Sequence, residues 1–288
     1  MLHKPPALRP GDLIGVVAPG SVVPKEQLEA GAARLKQLGY RVRYRPDIFS
    51  TFGTFAGTHE RRIAEFSEML DDPEVRAIFC ARGGYGSNYL VAALESRALP
   101  AAKIIMGYSD ITTLHAFFWK QAGWVTFHGP MVAMEFAQGR DVLGPALTST
   151  ESWEARSGLN VLASGTAEGA LLGGCLSIAV TTLGTHREID WRDAIVLLED
   201  LGEAPYRIDH MLFQLREAGK FDTVRGVVFG EMKDCGDPDL LAQLRDLGIP
   251  VVAGFPTGHT SGENVCVPLG VRAELREDRL TILEGAVR

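Results

Sequence analysis

A short apolar run, a break at glycine or proline, then a stretch with apolar residues at helical spacing: this unit recurs four times between residues 13 and 121. The runs are 13–18, 41–44, 75–80 and 103–107, and the helical stretches are 25–38, 59–70, 88–94 and 111–121. Leu28, Ala32 and Leu35 fall on one face of the first helix, and Ile63, Phe66 and Leu70 on one face of the second; such spacing marks a helix with one buried stripe. Gly39 and Asp71-Asp72-Pro73 stop these two helices. Strands that alternate with helices pair in parallel, because each helix carries the chain back to the same end of the sheet. The first half is therefore expected to be a parallel sheet covered on both faces. Ligands of such sheets sit beyond the carboxyl ends of the strands. Two segments fall there: Arg82-Gly83-Gly84-Tyr85-Gly86 and Gly107-Tyr108-Ser109-Asp110.

From about residue 137 to 165 the periodicity weakens and Gly, Ser, Thr and Glu become frequent. We read 1–140 as an N-terminal α/β domain, 141–165 as an interdomain crossover and 166–288 as a C-terminal domain. In the second half 194–198, 226–230, 251–253 and 280–283 read as strands and 207–218 as a helix. Short strands with few helices predict a smaller, β-rich unit of α+β or barrel-like form.

Charge narrows the partners. With 29 Lys+Arg against 36 Asp+Glu the formal net charge is −7, which disfavours nucleic acid or an anionic membrane surface. No apolar window is long enough for a membrane span, and residues 1–12 hold no apolar signal core; a cytoplasmic location is expected. Cys80, Cys175, Cys235 and Cys266 lie far apart and form no C-x-x-C pair, so free thiols are expected rather than disulfides. Neither His-Glu-x-x-His nor paired Cys/His spacing occurs, and neither a metal nor a cofactor is expected.

At Gly107-Tyr108-Ser109-Asp110 an apolar strand stops and a helix begins at once. A serine on a sharp strand-to-helix turn is lifted out of the sheet with its N–H near a helix N-terminus, which is how hydrolases built on a parallel sheet present a nucleophile. Ile111 stands where the usual Gly-x-Ser-x-Gly has its second glycine. A serine or aspartate at this point also suits plain capping of the helix.

A nucleophilic serine needs a base, and the base needs a group to orient it. Of the seven histidines, His259 lies in a polar loop between Gly258 and Thr260, just after the strand 251–253, and is the candidate base. His128, in Phe127-His128-Gly129-Pro130-Met131, also follows a strand and is a second candidate for the cleft. His115 lies six residues past Ser109 on a helix that turns it away, and reads as packing. Glu199 and Asp200 end the apolar strand 194–198, where a carboxylate can accept the Nδ1–H of a histidine. Strand alternation puts the two acids on opposite faces, so only one meets His259, and spacing leaves open which. The 82–86 segment lacks the spacing of a P-loop or of G-x-G-x-x-G. Its other use is to aim backbone N–H groups at a developing oxyanion, with Arg82 on a substrate carboxylate.

Taken in order, Arg82-Gly-Gly-Tyr-Gly, Gly107-Tyr-Ser-Asp, Phe127-His-Gly-Pro-Met, Leu198-Glu-Asp with Tyr206-Arg-Ile-Asp, and Gly254-Phe-Pro-Thr-Gly-His with Val267-Pro-Leu-Gly form a set. The set resembles the LD-carboxypeptidase family, serine peptidases that include muramoyltetrapeptide carboxypeptidase and the microcin C immunity peptidase. It spans about residues 10–275. The resemblance implies a Rossmann-like parallel sheet, related in shape to class I glutamine amidotransferases, followed by a smaller β-rich C-terminal domain, usually as a homodimer. It implies a triad of Ser109, Glu199 and His259 set between the domains, and an oxyanion hole from the backbone N–H groups of Gly84 and Asp110. Arg82, Gly83 and Tyr108 are then expected against the substrate.

The implied reaction releases a terminal D-amino acid, D-alanine from a murein tetrapeptide in peptidoglycan recycling. The immunity branch cleaves an aminoacyl-adenylate mimic, and calls for an aromatic or basic surface for a nucleotide near the cleft, for which Trp153 and Trp191 are the candidates. A peptide-binding protein that has lost turnover is the non-enzyme alternative. One departure from the family stands at Gly173-Gly174-Cys175-Leu176, where Cys175 replaces an asparagine able to hydrogen-bond. It bears on the wall of the site and on substrate preference.

Overall fold

The structure, a computed structural model, describes residues 2–236 and 238–288. Its first half alternates as expected: β1 (Leu13–Val17), α1 (Lys25–Gln37), β2 (Arg41–Arg43), α2 (His59–Asp71), β3 (Val75–Cys80), α3 (Ser87–Leu94), β4 (Ile104–Gly107), α4 (Thr112–Ala122) and β5 (Thr126–His128). The strands pair in parallel in the order β5-β4-β3-β1-β2. Local chemistry sets the helix ends. Thr58 caps α2 by accepting the Arg61 N–H at 3.3 Å. Gly123, at φ 60, ends α4 in the left-handed conformation that glycine adopts without strain.

The second half is a mixed sheet. Its strands are β6 (Asp141–Val142), β7 (Trp153–Arg156), β8 (Asn160–Ala163), β9 (Thr166–Cys175), β10 (Ala194–Glu199), β11 (Gly226–Gly230), β12 (Val251–Phe255), β13 (Asn264–Val265), β14 (Val267–Leu269), β15 (Arg272–Arg276) and β16 (Arg279–Ile282), with helices α5 (Leu176–Thr181) and α6 (Pro205–Glu217). Eight of these strands form one sheet in the order β7-β16-β15-β9-β10-β11-β12-β8, and β9 to β12 are its parallel centre. The stretch expected to be a crossover supplies both of its edges, β7 and β8. Arg156 and Asn160 end and begin these edge strands, and three intervening residues span at most about 14 Å. The edges of an open eight-stranded sheet lie about 34 Å apart. The sheet must therefore curl until its edges approach, which favours the barrel-like one of the two forms expected, α+β or barrel-like.

One strand crosses between the halves. β14, which the sequence groups with the C-terminal domain, pairs antiparallel with β5 and becomes the edge of the first sheet. Pro268 is tolerated there because an edge strand can forgo one backbone donor. The cores are shared as well. Val16, Phe79, Met106 and Phe127 of the first sheet belong to one buried cluster with Leu171, Ile195, Leu197, Val228 and Val252 of the second. Val196 and Leu198 belong instead to the cluster that contains Ile208, Leu212 and Leu215 of α6. β10 thus turns its odd-numbered residues toward the first sheet and its even-numbered ones toward α6.

Candidate active site

Ser109 opens a single 3-10 turn, Ser109–Ile111, between β4 and α4. Its φ is 63, a left-handed conformation that costs a residue with a β-carbon about 1–2 kcal/mol. Ser109 is half-buried between the buried Tyr108 and Asp110. The glycine-rich loop lies against it. A β-carbon on Gly83 would stand 3.0 Å from Ser109 Cβ and 3.4 Å from its Oγ. The Gly83 carbonyl accepts the Ser21 N–H at 3.1 Å. Gly84, at φ 99, packs so closely on Ser21 that a β-carbon would come within 2.0 Å of the hydroxyl.

Asp110 caps a helix other than its own. Its Oδ2 accepts the Ser87 N–H at 2.9 Å and the Ser87 hydroxyl at 2.5 Å, closing the N-terminus of α3. Burial raises its carboxyl from the ordinary range, against the hydrogen bonds from Ser87. The fully buried Arg62 donates to the carbonyls of Pro19 and Gly86 and so ties the loop after β1 to the glycine loop. Arg62, Ser87 and Asp110 form a frame around the serine turn. Sequence spacing marks Ser87 as a residue just before a helix, but gives no sign that Arg62, besides its contact with His59 one turn back, reaches backbone carbonyls from two distant loops.

The acid and the imidazole meet directly. Glu199 Oε2 accepts the His259 Nδ1–H at 2.7 Å and the His259 backbone N–H at 2.9 Å. The odd-numbered face of β10 carries Glu199 toward the first sheet, and Asp200 points the other way. Asp200 accepts the N–H groups of Ser177 at 2.7 Å and Leu201 at 2.9 Å, which caps α5. Between the two acids left open by spacing, packing selects Glu199. Burial pulls the proton affinity of His259 down, but the hydrogen bond and charge of Glu199 outweigh it, and His259 titrates above its ordinary value of 6.5. The His259 ring meets the Tyr108 ring edge-on, with centroids 4.9 Å apart, next to the serine turn. Ser109 Oγ and His259 Nε2 share no hydrogen bond among the described residues; such contacts are often long before substrate binds.

Room for the carboxylate depends on two glycines. A β-carbon on Gly230 would fall 2.6 Å from Glu199 Cβ, and one on Gly258, at φ 76, would fall 2.4 Å from Glu199 Cδ. Gly258→Ala is therefore expected to push Glu199 off His259. The melting temperature should fall by the equivalent of about 1 kcal/mol or more from the φ alone, and hydrolysis should drop far more than stability. A thermal melt beside an activity assay checks both.

Tyr108, expected against the substrate, is 3% exposed and donates its hydroxyl to Glu135 at 2.9 Å. It backs His259 instead, because the first residue past β4 continues into the core. Arg82 is half-buried and donates to the Val22 carbonyl at 3.2 Å, with no carboxylate partner among the described residues. Cys175 is buried, its N–H donates to Thr112 Oγ1 at 2.9 Å and its Sγ lies 3.3 Å from Ser177 Oγ. The departure from asparagine thus sits inside the seam between the sheets rather than on an open wall. All four cysteines are buried free thiols. His115 packs in the core, as expected, with Nε2 at 2.9 Å from the Gly107 carbonyl. Trp191 is buried in the core cluster beside α6, and Trp153 packs against the core from the edge strand β7.

Two descriptions of one family match the chain: the LD-carboxypeptidase N-terminal domain over residues 14–129 and the LD-carboxypeptidase C-terminal domain over residues 168–275. A probable murein peptide carboxypeptidase of Bacillus subtilis is 35% identical over 99% of this chain and 95% of its own length. The solved muramoyltetrapeptide carboxypeptidase of Oxalobacter formigenes superposes with a TM-score of 0.78 at 28% identity, covering 95% of this chain and 98% of the other. The microcin C7 self-immunity protein in its wild-type unliganded state shares the fold, with a TM-score of 0.87 at 23% identity over 99% of both chains. With both domains matched in order and a relative aligned along nearly its full length, this chain belongs to the LD-carboxypeptidase family and is a hydrolase of the carboxypeptidase class.

Proposed function

We propose that the chain is a serine-type LD-carboxypeptidase that releases terminal D-alanine from a murein tetrapeptide in peptidoglycan recycling, acting as a cytoplasmic homodimer. The observation that carries the mechanism is the pair of hydrogen bonds that His259, through its Nδ1–H and its backbone N–H, donates to one oxygen of Glu199, set beside a serine on a strained strand-to-helix turn. Glu199 holds the proton on His259 Nδ1, so the lone pair of Nε2 is the one available to take the proton of Ser109. Ser109 Oγ then attacks the carbonyl that precedes the D-residue.

Two N–H groups are suited to the oxyanion. That of Asp110 is among the first donors of a helical turn, which have no partner within it. The Gly83–Gly84 peptide is trans, so the Gly84 N–H points opposite to the carbonyl that Ser21 holds. His259 next protonates the leaving amine, and water clears the acyl-enzyme with His259 again as base. Arg82, a cation without an acidic partner at the loop beside Ser109, is suited to the carboxylate of the leaving residue. The reading of this chain as an adenylate-cleaving immunity enzyme has less support, since Trp191 is occupied by the core.

Incubation of the purified protein with murein tetrapeptide, followed by mass spectrometry, tests the proposal. Release of D-alanine by wild type and none by Ser109→Ala is the expected result. Hydrolysis of an aminoacyl-adenylate analogue alone would move the chain to the immunity branch.

A further inference from the structure

The two oxygens of Glu199 are used unequally. Oε2 accepts both bonds from His259, whereas Oε1 is buried and accepts none among the described residues. His128, the last residue of β5, is fully buried, and both of its ring nitrogens are also without partners. Its Nε2 stands 3.6 Å from Glu199 Oε1. Buried donors and acceptors are almost always paired, and here the orphans of the two residues face each other. The gap exceeds a hydrogen bond and closes with a shift of about 0.5 Å, the kind of tightening that sites undergo when substrate arrives.

The surroundings leave His128 one role in charge and one in position. The groups facing it are His115 of α4, with ring centroids 6.1 Å away, Tyr108 after β4, also 6.1 Å away, Glu199 of β10, and His259 beyond it. Burial, and then the charge on His259, lower its proton affinity to about 3, so it is a neutral imidazole with one N–H to give. In position, His128 is paired with Gly107 in the register of β4 and β5, one strand over from the serine turn. Glu199 ends β10 in the other sheet. A bond from His128 to Glu199 therefore spans the seam across which nucleophile and acid must be aligned.

We propose that His128 is a positioning residue: as the Nε2–H tautomer it donates to Glu199 Oε1 and, through Glu199, holds His259 in register with Ser109. This rests on the triad reading above. The test compares His128→Gln, whose amide N–H reaches where Nε2 stood, with His128→Asn, whose amide reaches only where Nδ1 stood. The readout is the rate at which a serine-directed phosphonate labels Ser109, followed against pH, which requires no knowledge of the peptide substrate.

His128→Asn should slow labelling about tenfold, the worth of one hydrogen bond. It should also move the acidic limb to higher pH, because a carboxylate relieved of a donor binds the imidazolium more strongly. His128→Gln should keep the wild-type limb and a rate within about threefold. Equal losses in both variants, or an unmoved limb in His128→Asn, would overturn the proposal. A double-mutant cycle with Glu199→Gln reads the same contact separately: a loss that appears only when Glu199 is present supports it, and additive losses overturn it. Absence of labelling in wild type would sink the triad reading itself. Labelling without D-alanine release would sink only the choice of substrate.

Discussion

Ser109→Ala is expected to leave the chain folded and to lower kcat/KM on murein tetrapeptide by about 10⁴-fold or more, the scale seen when a triad nucleophile is removed. The hydroxyl makes no hydrogen bond among the described residues, so its loss costs the fold little. The cysteines do not supply a replacement nucleophile. The cysteines are buried, and burial, followed by the charges of Glu199 and Asp200, pushes the thiol of Cys175 well above its ordinary range. A companion variant separates chemistry from strain. Ser109→Gly removes the β-carbon that a φ of 63 disfavours, and should raise the melting temperature by about 2 °C while remaining as inactive as the alanine form. D-alanine release by mass spectrometry and a thermal melt give both numbers. Activity within tenfold of wild type in either variant would remove Ser109 from the mechanism.

Glu199→Gln should be nearly as damaging, with kcat reduced by about 10³ to 10⁴-fold. The amide cannot stabilise the imidazolium that forms as Ser109 loses its proton. The pH profile carries the sign. In wild type the hydrogen bond and charge of Glu199 overcome burial and raise His259 above 6.5. The base must be neutral, so kcat/KM should rise with pH through that raised value. With the carboxylate gone, only the lesser effects of the Asp200 and Glu135 charges oppose burial, and the rising limb of the residual activity should move to lower pH.

Stability follows the same linkage. A histidine raised on folding adds stability that is complete below its unfolded pKa of 6.5 and lost as pH rises through the raised value. The wild-type melting temperature should therefore lose this contribution above pH 6.5, and Glu199→Gln should not show the step. A limb that stays in place or moves upward in Glu199→Gln would exclude Glu199 as the partner that tunes His259.

Much of this site is legible in the order of the residues alone. The alternation of strands and helices in residues 13–121, the serine turn after 103–107 and the loop histidine at 259 are local patterns, and local patterns report which face of an element is buried. They also bring Glu199 and Asp200 to the end of one strand, where alternation lets only one of the two meet His259. What they do not report is the partner on the other side. Glu199 rather than Asp200 follows from β10 lying between two cores, its odd face toward the first sheet and its even face toward α6.

Tertiary contacts also reassign residues whose local signals suggest something simpler. Asp110 reads as a cap for the helix that follows it, yet it closes α3, because Ser87 is brought beside it by the parallel sheet. Tyr108, which the family resemblance sets against the substrate, is buried behind His259, because the residue after β4 continues into the core. β14 lies between β12 and β15 of the second sheet in the chain, yet pairs with the first. Steric and hydrophobic periodicity within a few residues thus marks the strands and helices of residues 13–121, the serine turn and the short list of acids and bases, but misses β7, β8, β9 and α5 of the second half. Only the tertiary structure decided which acid meets which base and what His128 faces, because those choices depend on buried polar atoms finding partners across a seam between strands far apart in the chain.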